Sequence, residues 1–125
     1  MSLEHHLSDE QLSEYKNKLL DKKAKLLKSI KEKSLETQTN HAAESDVLDI
    51  ASNLEAKNRL ISEIDRDTAM LKRVERALEV FDVDFGYCID CGVEIEAKRL
   101  DFDPAASRCF ECQDIFEKKS RLYMK

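Results

Sequence analysis

Turn-forming residues are scarce in this chain. Among 125 residues there are two glycines, one proline and no tryptophan. Such a composition argues against an all-β fold, which needs many turns. No apolar run approaches the length that spans a membrane, and no secretory signal is visible. A cytoplasmic protein is expected. Four cysteines in such a chain read as metal ligands before disulfides. What the sequence does have is charge, at 38% of residues, and that suits long exposed helices.

The charge is unevenly placed. Asp9 to Leu35 holds eight lysines against five acids. Residues 84–115 hold eight acids against three bases, so the cysteine-bearing region is acidic. Duplex nucleic acid is bound through Lys and Arg that neutralise phosphates, so this region makes a poor phosphate reader. The lysine face of the first segment solvates a long helix, or guides it toward an acidic partner.

Two seven-residue apolar repeats organise the first two thirds of the chain. Leu12, Leu19 and Leu26 form one, and Ile64, Leu71, Leu78 and Phe85 the other. Such a repeat is the seam of a coiled coil. Antiparallel pairing sets Leu26 against Leu71, Leu19 against Leu78 and Leu12 against Phe85. Each pair of numbers adds to 97, so the fold-back falls between Leu48 and Asp49. Each arm has about 30 residues, which gives a hairpin about 45–50 Å long. At its tip, residues 46–51, stand Asp46 and Asp49, with the small Ala51 two positions on.

Taken in order, residues 1–7 read as a flexible N-terminus, with His5 and His6 on a surface tail. Ser8 and Gln11 have the spacing of a capping box, which starts a helix. The hairpin is expected over 8–83, with its tip about 42–53 and the second helix starting near Ser52-Asn53. Gly86 reads as the end of that helix. A finger follows over 84–114. A short terminal helix is expected over 115–125, packing Ile115, Phe116 and Leu122 back near Leu12, Tyr15 and Phe81.

Cys88-x2-Cys91 and Cys109-x2-Cys112 stand 17 residues apart, a four-cysteine zinc spacing. Two CxxC turns offer two sulfurs each to a tetrahedral ion, and Gly92 suits the tight knuckle. Four thiolates leave no open coordination position, so one structural Zn²⁺ is expected, not a Lewis acid. A redox CxxC would need a βαβ setting that the sequence lacks.

Two carboxylates on an exposed loop are usually solvated acids. At the end of a long thin arm they could instead approach a bound Mg²⁺ or pair with basic residues in a partner's channel. Asp46 and Asp49 are too few to hold Mg²⁺ alone. The tip thus reads as a visitor to another protein's site.

The motif Asp46-x-x-Asp49-x-Ala51 resembles the tip motif of the DksA/TraR family. The stretch Asp84-Phe85-Gly86-Tyr87-Cys88-x-x-Cys91-Gly92-Val93-Glu94-Ile95 is similar to that family's finger entry. Arg99-Leu100, Pro104 and Cys109-x-x-Cys112 continue it. The resemblance spans about residues 8–125. It implies a transcription regulator that binds RNA polymerase, not DNA sequence, and that inserts its tip into the secondary channel near the catalytic Mg²⁺. It implies modulated initiation at sensitive promoters, often with guanosine tetraphosphate (ppGpp).

Two positions depart from the ppGpp-responsive pattern. Basic residues there stand where this chain has Asp103 and Gln113, and Lys72 and Arg73 are left as possible ppGpp contacts. A weak or absent ppGpp response is therefore expected. The overall expectation is an all-α monomer: an antiparallel coiled-coil hairpin, a four-cysteine zinc finger and a C-terminal helix. Alternatives are a zinc-ribbon nucleic-acid module, a transcript-cleavage or anti-backtracking channel factor, and a dimerising scaffold. An enzyme is not expected, since no nucleophile–base set is present.

Overall fold

A computed structural model describes residues 5–39 and 47–123; side chains of Thr39, residues 47–49 and Tyr123 lie outside that description. Among the described residues there are four helices and no strand: α1 (Asp9–Thr39), α2 (Val47–Glu79), α3 (Ala97–Phe102) and α4 (Phe110–Tyr123). None is long and apolar enough to cross a membrane. The chain divides into two compact units, one of residues 1–21 and 73–125, the other of residues 22–72. The boundary differs from the expected one, because the first turns of α1 and the last of α2 belong with the finger.

The start of α1 is the expected capping box. Ser8 Oγ accepts from the Gln11 N–H at 3.1 Å, and Gln11 Oε1 accepts from the Ser8 N–H at 2.9 Å. Both donors lack helical partners, so the reciprocal pair satisfies them. Asp9 and Glu10 fill the first turn, where the helix dipole favours acids.

In the unit of residues 1–21 and 73–125, α1 and α2 bury Tyr15, Leu19 and Val74. Lys16 lies over the Phe81 ring, 5.5 Å from its centroid, and those two numbers also add to 97. Below them α3 buries Leu100, and the finger contributes Ile95, Ala105 and Ala106. Tyr15 ties helix to finger. Its hydroxyl lies 2.5 Å from Asp101 Oδ1 and 3.2 Å from the Ala97 carbonyl oxygen.

Several boundaries move from the expected ones. α2 starts at Val47, earlier than Ser52-Asn53, so Asp49 and Ala51 stand in its first turns rather than in a loop. α2 also stops at Glu79, seven residues before Gly86. Phe85 is buried as its heptad position predicts, but in the turns after the helix, stacked on Phe81 at 4.4 Å.

The terminal helix begins at Phe110, not Ile115. Its Ile115, Phe116 and Leu122 remain 53%, 45% and 70% exposed, so they do not pack on Leu12, Tyr15 and Phe81. The place beside Tyr15 is taken by α3 through Asp101 and by Phe85. Arg108 covers the Phe116 ring instead, 4.0 Å from its centroid.

The N-terminal residues are not a loose tail from His5 onward. His5 Nε2 and His6 Nε2 each lie 2.8 Å from a carbonyl oxygen, of Phe85 and Gly86 respectively. Both rings meet Tyr87 edge-on, and Leu7 is buried. Gly86 permits this approach. Its φ is +89°, and a Cβ there would lie 3.0 Å from the His5 ring.

Burial raises the Tyr15 hydroxyl from its ordinary value near 10 to about 12, and the hydrogen bond to Asp101 adds to the rise. The fold therefore holds the protonated form more tightly than the unfolded chain does. That stabilisation is full below pH 10 and is lost as pH rises through about 12. Tyrosinate absorbance should show one tyrosine ionising last, together with loss of the fold of this unit. Tyr15→Phe should remove that late titration.

Candidate functional site

The four cysteine sulfurs lie within 4.8 Å of one another. Cys91 and Cys109 Sγ are 3.8 Å apart. A tetrahedron with Zn–S bonds of about 2.3 Å has edges of about 3.8 Å, so the donor set fits zinc. None of the four is in a disulfide.

Local sequence builds each half. In the first knuckle the Cys88 N–H donates to the Val93 carbonyl at 2.8 Å, and the Gly92 N–H returns to the Cys88 carbonyl at 2.9 Å. Gly92 has φ +76° with open space around it, so backbone conformation, not crowding, requires glycine there. In the second half Cys109 directly precedes α4, and the Cys112 N–H points at Cys109 Sγ at 3.5 Å. A helix N-terminus favours thiolate there. The Ile89 N–H to Ser107 carbonyl bond, 2.9 Å, joins the halves.

Four thiols this close compete for charge. Burial alone would raise Cys88, but backbone N–H groups of Cys109, Cys91 and Asp90 outweigh it and bring the thiol down to about 6. Cys112 is pushed up, chiefly by the Cys109 and Cys91 side chains. A divalent soft cation resolves that conflict by stabilising every thiolate at once.

The acidic motif sits elsewhere, in the unit of residues 22–72. Asp46 lies outside the described residues. Asp49 is the third residue of α2, its side chain outside the description, and Ala51 is exposed on the same helix. Ile50 and Leu54 nearby are 49% and 57% exposed.

The two basic positions part company. Lys72 is exposed at the end of the unit of residues 22–72. Arg73 belongs with the finger, where its Nη2 meets Asp103 Oδ2 at 2.6 Å. Asp103 Oδ1 also accepts the Ala105 N–H at 3.1 Å, which orients the carboxylate toward Arg73. Gln113 donates to Glu117 at 2.9 Å. A groove of about 750 Å³ beside this pair brings Arg73, Arg76, Arg99 and Arg108 together with the acids Asp103, Asp114 and Glu117. Sequence reading missed this grouping, since the four arginines are scattered over 36 positions of the chain. Arg108 Nε pairs with Asp90 at 2.8 Å, and Arg99 Nε donates to the Arg108 carbonyl at 3.0 Å.

A Salmonella typhimurium protein, RNA polymerase-binding transcription factor DksA, is 32% identical over 115 residues, covering 91% of this chain and 76% of its own. The chain belongs to the DksA/TraR family. The family described as the prokaryotic dksA/traR C4-type zinc finger matches residues 84–118, which include all four cysteines. The Escherichia coli K12 DksA is 42% identical over 66 residues, which is 52% of this chain and 40% of that one. The solved structure of transcription factor DksA2 from Pseudomonas aeruginosa superposes with a TM-score of 0.79 at 25% identity, covering 93% and 90% of the two chains. A Chlamydia trachomatis RNA polymerase binding protein superposes with a TM-score of 0.56 at 25% identity, over 90% of this chain and 94% of that one.

Cys88, Cys91, Cys109 and Cys112 thus form the structural zinc site of a DksA/TraR finger. When bound, the metal supplies a crosslink between the two knuckles, with no open position for chemistry. Metal analysis should find one zinc per chain. Structural zinc contributes on the order of 10 kcal/mol to folding. Chelation should therefore speed amide exchange at Ile89, Gly92 and Cys112 by more than about a hundredfold.

Proposed function

We propose that this protein is a transcription regulator that binds RNA polymerase and acts through the Asp46–Ala51 end of its α1/α2 unit. The observation that carries the reading is the pairing of two features on one chain. A DksA/TraR zinc finger occupies residues 84–118, and Asp49 and Ala51 of the acidic motif stand in the first turns of α2. Relatives over most of the chain's length carry the name RNA polymerase-binding transcription factor. In this reading the end of the arm enters the secondary channel. Asp46 and Asp49 approach the catalytic Mg²⁺ or the basic groups around it, and Ala51 permits close contact. Initiation at sensitive promoters is modulated as a result. The protein works in the cytoplasm as a monomer, acts as a regulator and not an enzyme, and reads no DNA sequence.

An acidic finger supports polymerase over nucleic acid as the partner, since its eight acids face three bases over residues 84–115. We read the ppGpp response as weak or absent. Arg73, one of the two candidate contacts, is held by Asp103 at 2.6 Å. A polyphosphate must compete with a carboxylate already in place.

In vitro transcription from a ribosomal promoter, with purified polymerase and with or without ppGpp, tests the reading. Regulation should appear and change little with the nucleotide. Asp49→Asn should abolish regulation while polymerase affinity stays within about threefold, because one side chain is a small share of the contact area. A fully active Asp49→Asn protein would refute the role of the tip. Asp103→Asn removes the carboxylate charge paired with Arg73 and should raise the ppGpp effect, by up to about tenfold for one charge-assisted contact.

A further inference from the structure

The seam in the unit of residues 22–72 contains a polar layer where the heptads call for apolar residues. Lys33 continues the series Leu12, Leu19, Leu26. Asp67 falls three after Ile64, the position that Val74 holds one heptad later. Asp67 Oδ2 accepts from Ser29 Oγ and from Lys33 Nζ, both at 2.9 Å, and Lys33 also meets Glu63 at 3.3 Å. Lys33 and Asp67 side chains are only 24% and 22% exposed. Hydrogen bonds from Lys33 and then Ser29 hold the Asp67 carboxyl below its ordinary range, so it is charged at neutral pH.

A charge at a seam position costs stability unless it is paired, and it is best paired in one alignment. Shifting α2 by one heptad moves it about 10 Å along α1. In one direction Asp67 would meet Glu36, and Lys33 would meet Met70 and Val74. In the other, Asp67 would lie by Lys22 and Leu26, and Lys33 by Ala56 and Leu60. Only the observed register gives both charges an opposite partner. Within this unit the apolar residues cannot enforce this by themselves, because a heptad slip sets one apolar seam residue opposite another.

We propose that Ser29, Lys33, Glu63 and Asp67 are positioning residues, a register lock that fixes where the Asp49–Ala51 end of α2 stands along α1. They touch no ligand and act through the alignment of the two helices. The consequence for regulation rests on the proposed use of the tip. The alignment itself does not, and the test needs no polymerase.

Spin labels carried on non-cysteine handles at the exposed positions Lys28 and Ala69 report the register in the full zinc-loaded chain. The parent protein should give one short distance. In K33L/D67L the seam becomes apolar, so helicity should be kept and the melting temperature equal or higher. Its distance distribution should split, with a second population longer by several ångströms. Lys33→Arg keeps the charge and should keep the single distance. A single unshifted distance in K33L/D67L would overturn the proposal. So would a split in Lys33→Arg, or loss of helix in the double variant, since the layer would then be needed for folding rather than for register. Persistence of the lock with an Asp49→Asn protein that still regulates would leave the register inference standing and remove only its consequence.

Discussion

Everything in the finger depends on four sulfurs being drawn to one point. The segment from Tyr87 to Phe110 has little with which to build a core. Its buried apolar side chains are Cys88, Ile95, Leu100, Ala105 and Ala106, two of them alanines. A segment that short does not hold two chain reversals together by apolar burial alone. Zinc supplies the missing constraint. Cys88 is both a candidate ligand and a buried residue, so metal binding and burial act on one side chain. Cys109 and Cys112 fix the first turn of α4 by the same bonds. Knuckle geometry thus decides where the terminal helix starts.

The α1/α2 pairing is built from two kinds of contact. Apolar positions such as Leu19 and Val74 give burial, which is strong but less selective for register than a paired charge. Polar positions such as Ser29, Lys33 and Asp67 give little burial, but each demands a particular neighbour. Stability and alignment are therefore assigned to different residues. At the finger, Arg73 and Asp103 divide a different pair of tasks. The aspartate satisfies the arginine internally, and in doing so it competes with any anion that approaches the groove.

Local signals were the most legible part of the sequence. The Ser8/Gln11 box, the CxxC pairs and the positive φ at Gly92 are set by residues a few positions apart. The antiparallel pairing was legible because it repeats: Ser29 with Asp67, and Lys33 with Glu63, add to 96 against the expected 97. Helix ends were read less well. Val80, Phe81 and Phe85 continue the apolar spacing after α2 has ended, so periodicity runs on through a series of turns. At the other end, Val47 to Ala51 lack a marked stop, and the cap-forming Ser52 and Asn53 drew the start too late. The docking of His5 and His6 was illegible because it spans 80 positions and depends on bare space at Gly86. The terminal helix was misplaced for a related reason. Its apolar residues have the right spacing, but α3 already covers Tyr15.

The functional account joins these pieces into one proposed action: a zinc-held finger and a register-set helix pair serve an acidic motif that works inside a partner's channel. A photo-crosslinking residue at Ala51, exposed on α2, tests this most directly in the presence of purified RNA polymerase. The account predicts crosslinks to polymerase segments that line the secondary channel beside the catalytic Mg²⁺. Efficient binding with crosslinks only to the outer surface of polymerase, or to DNA, would contradict it.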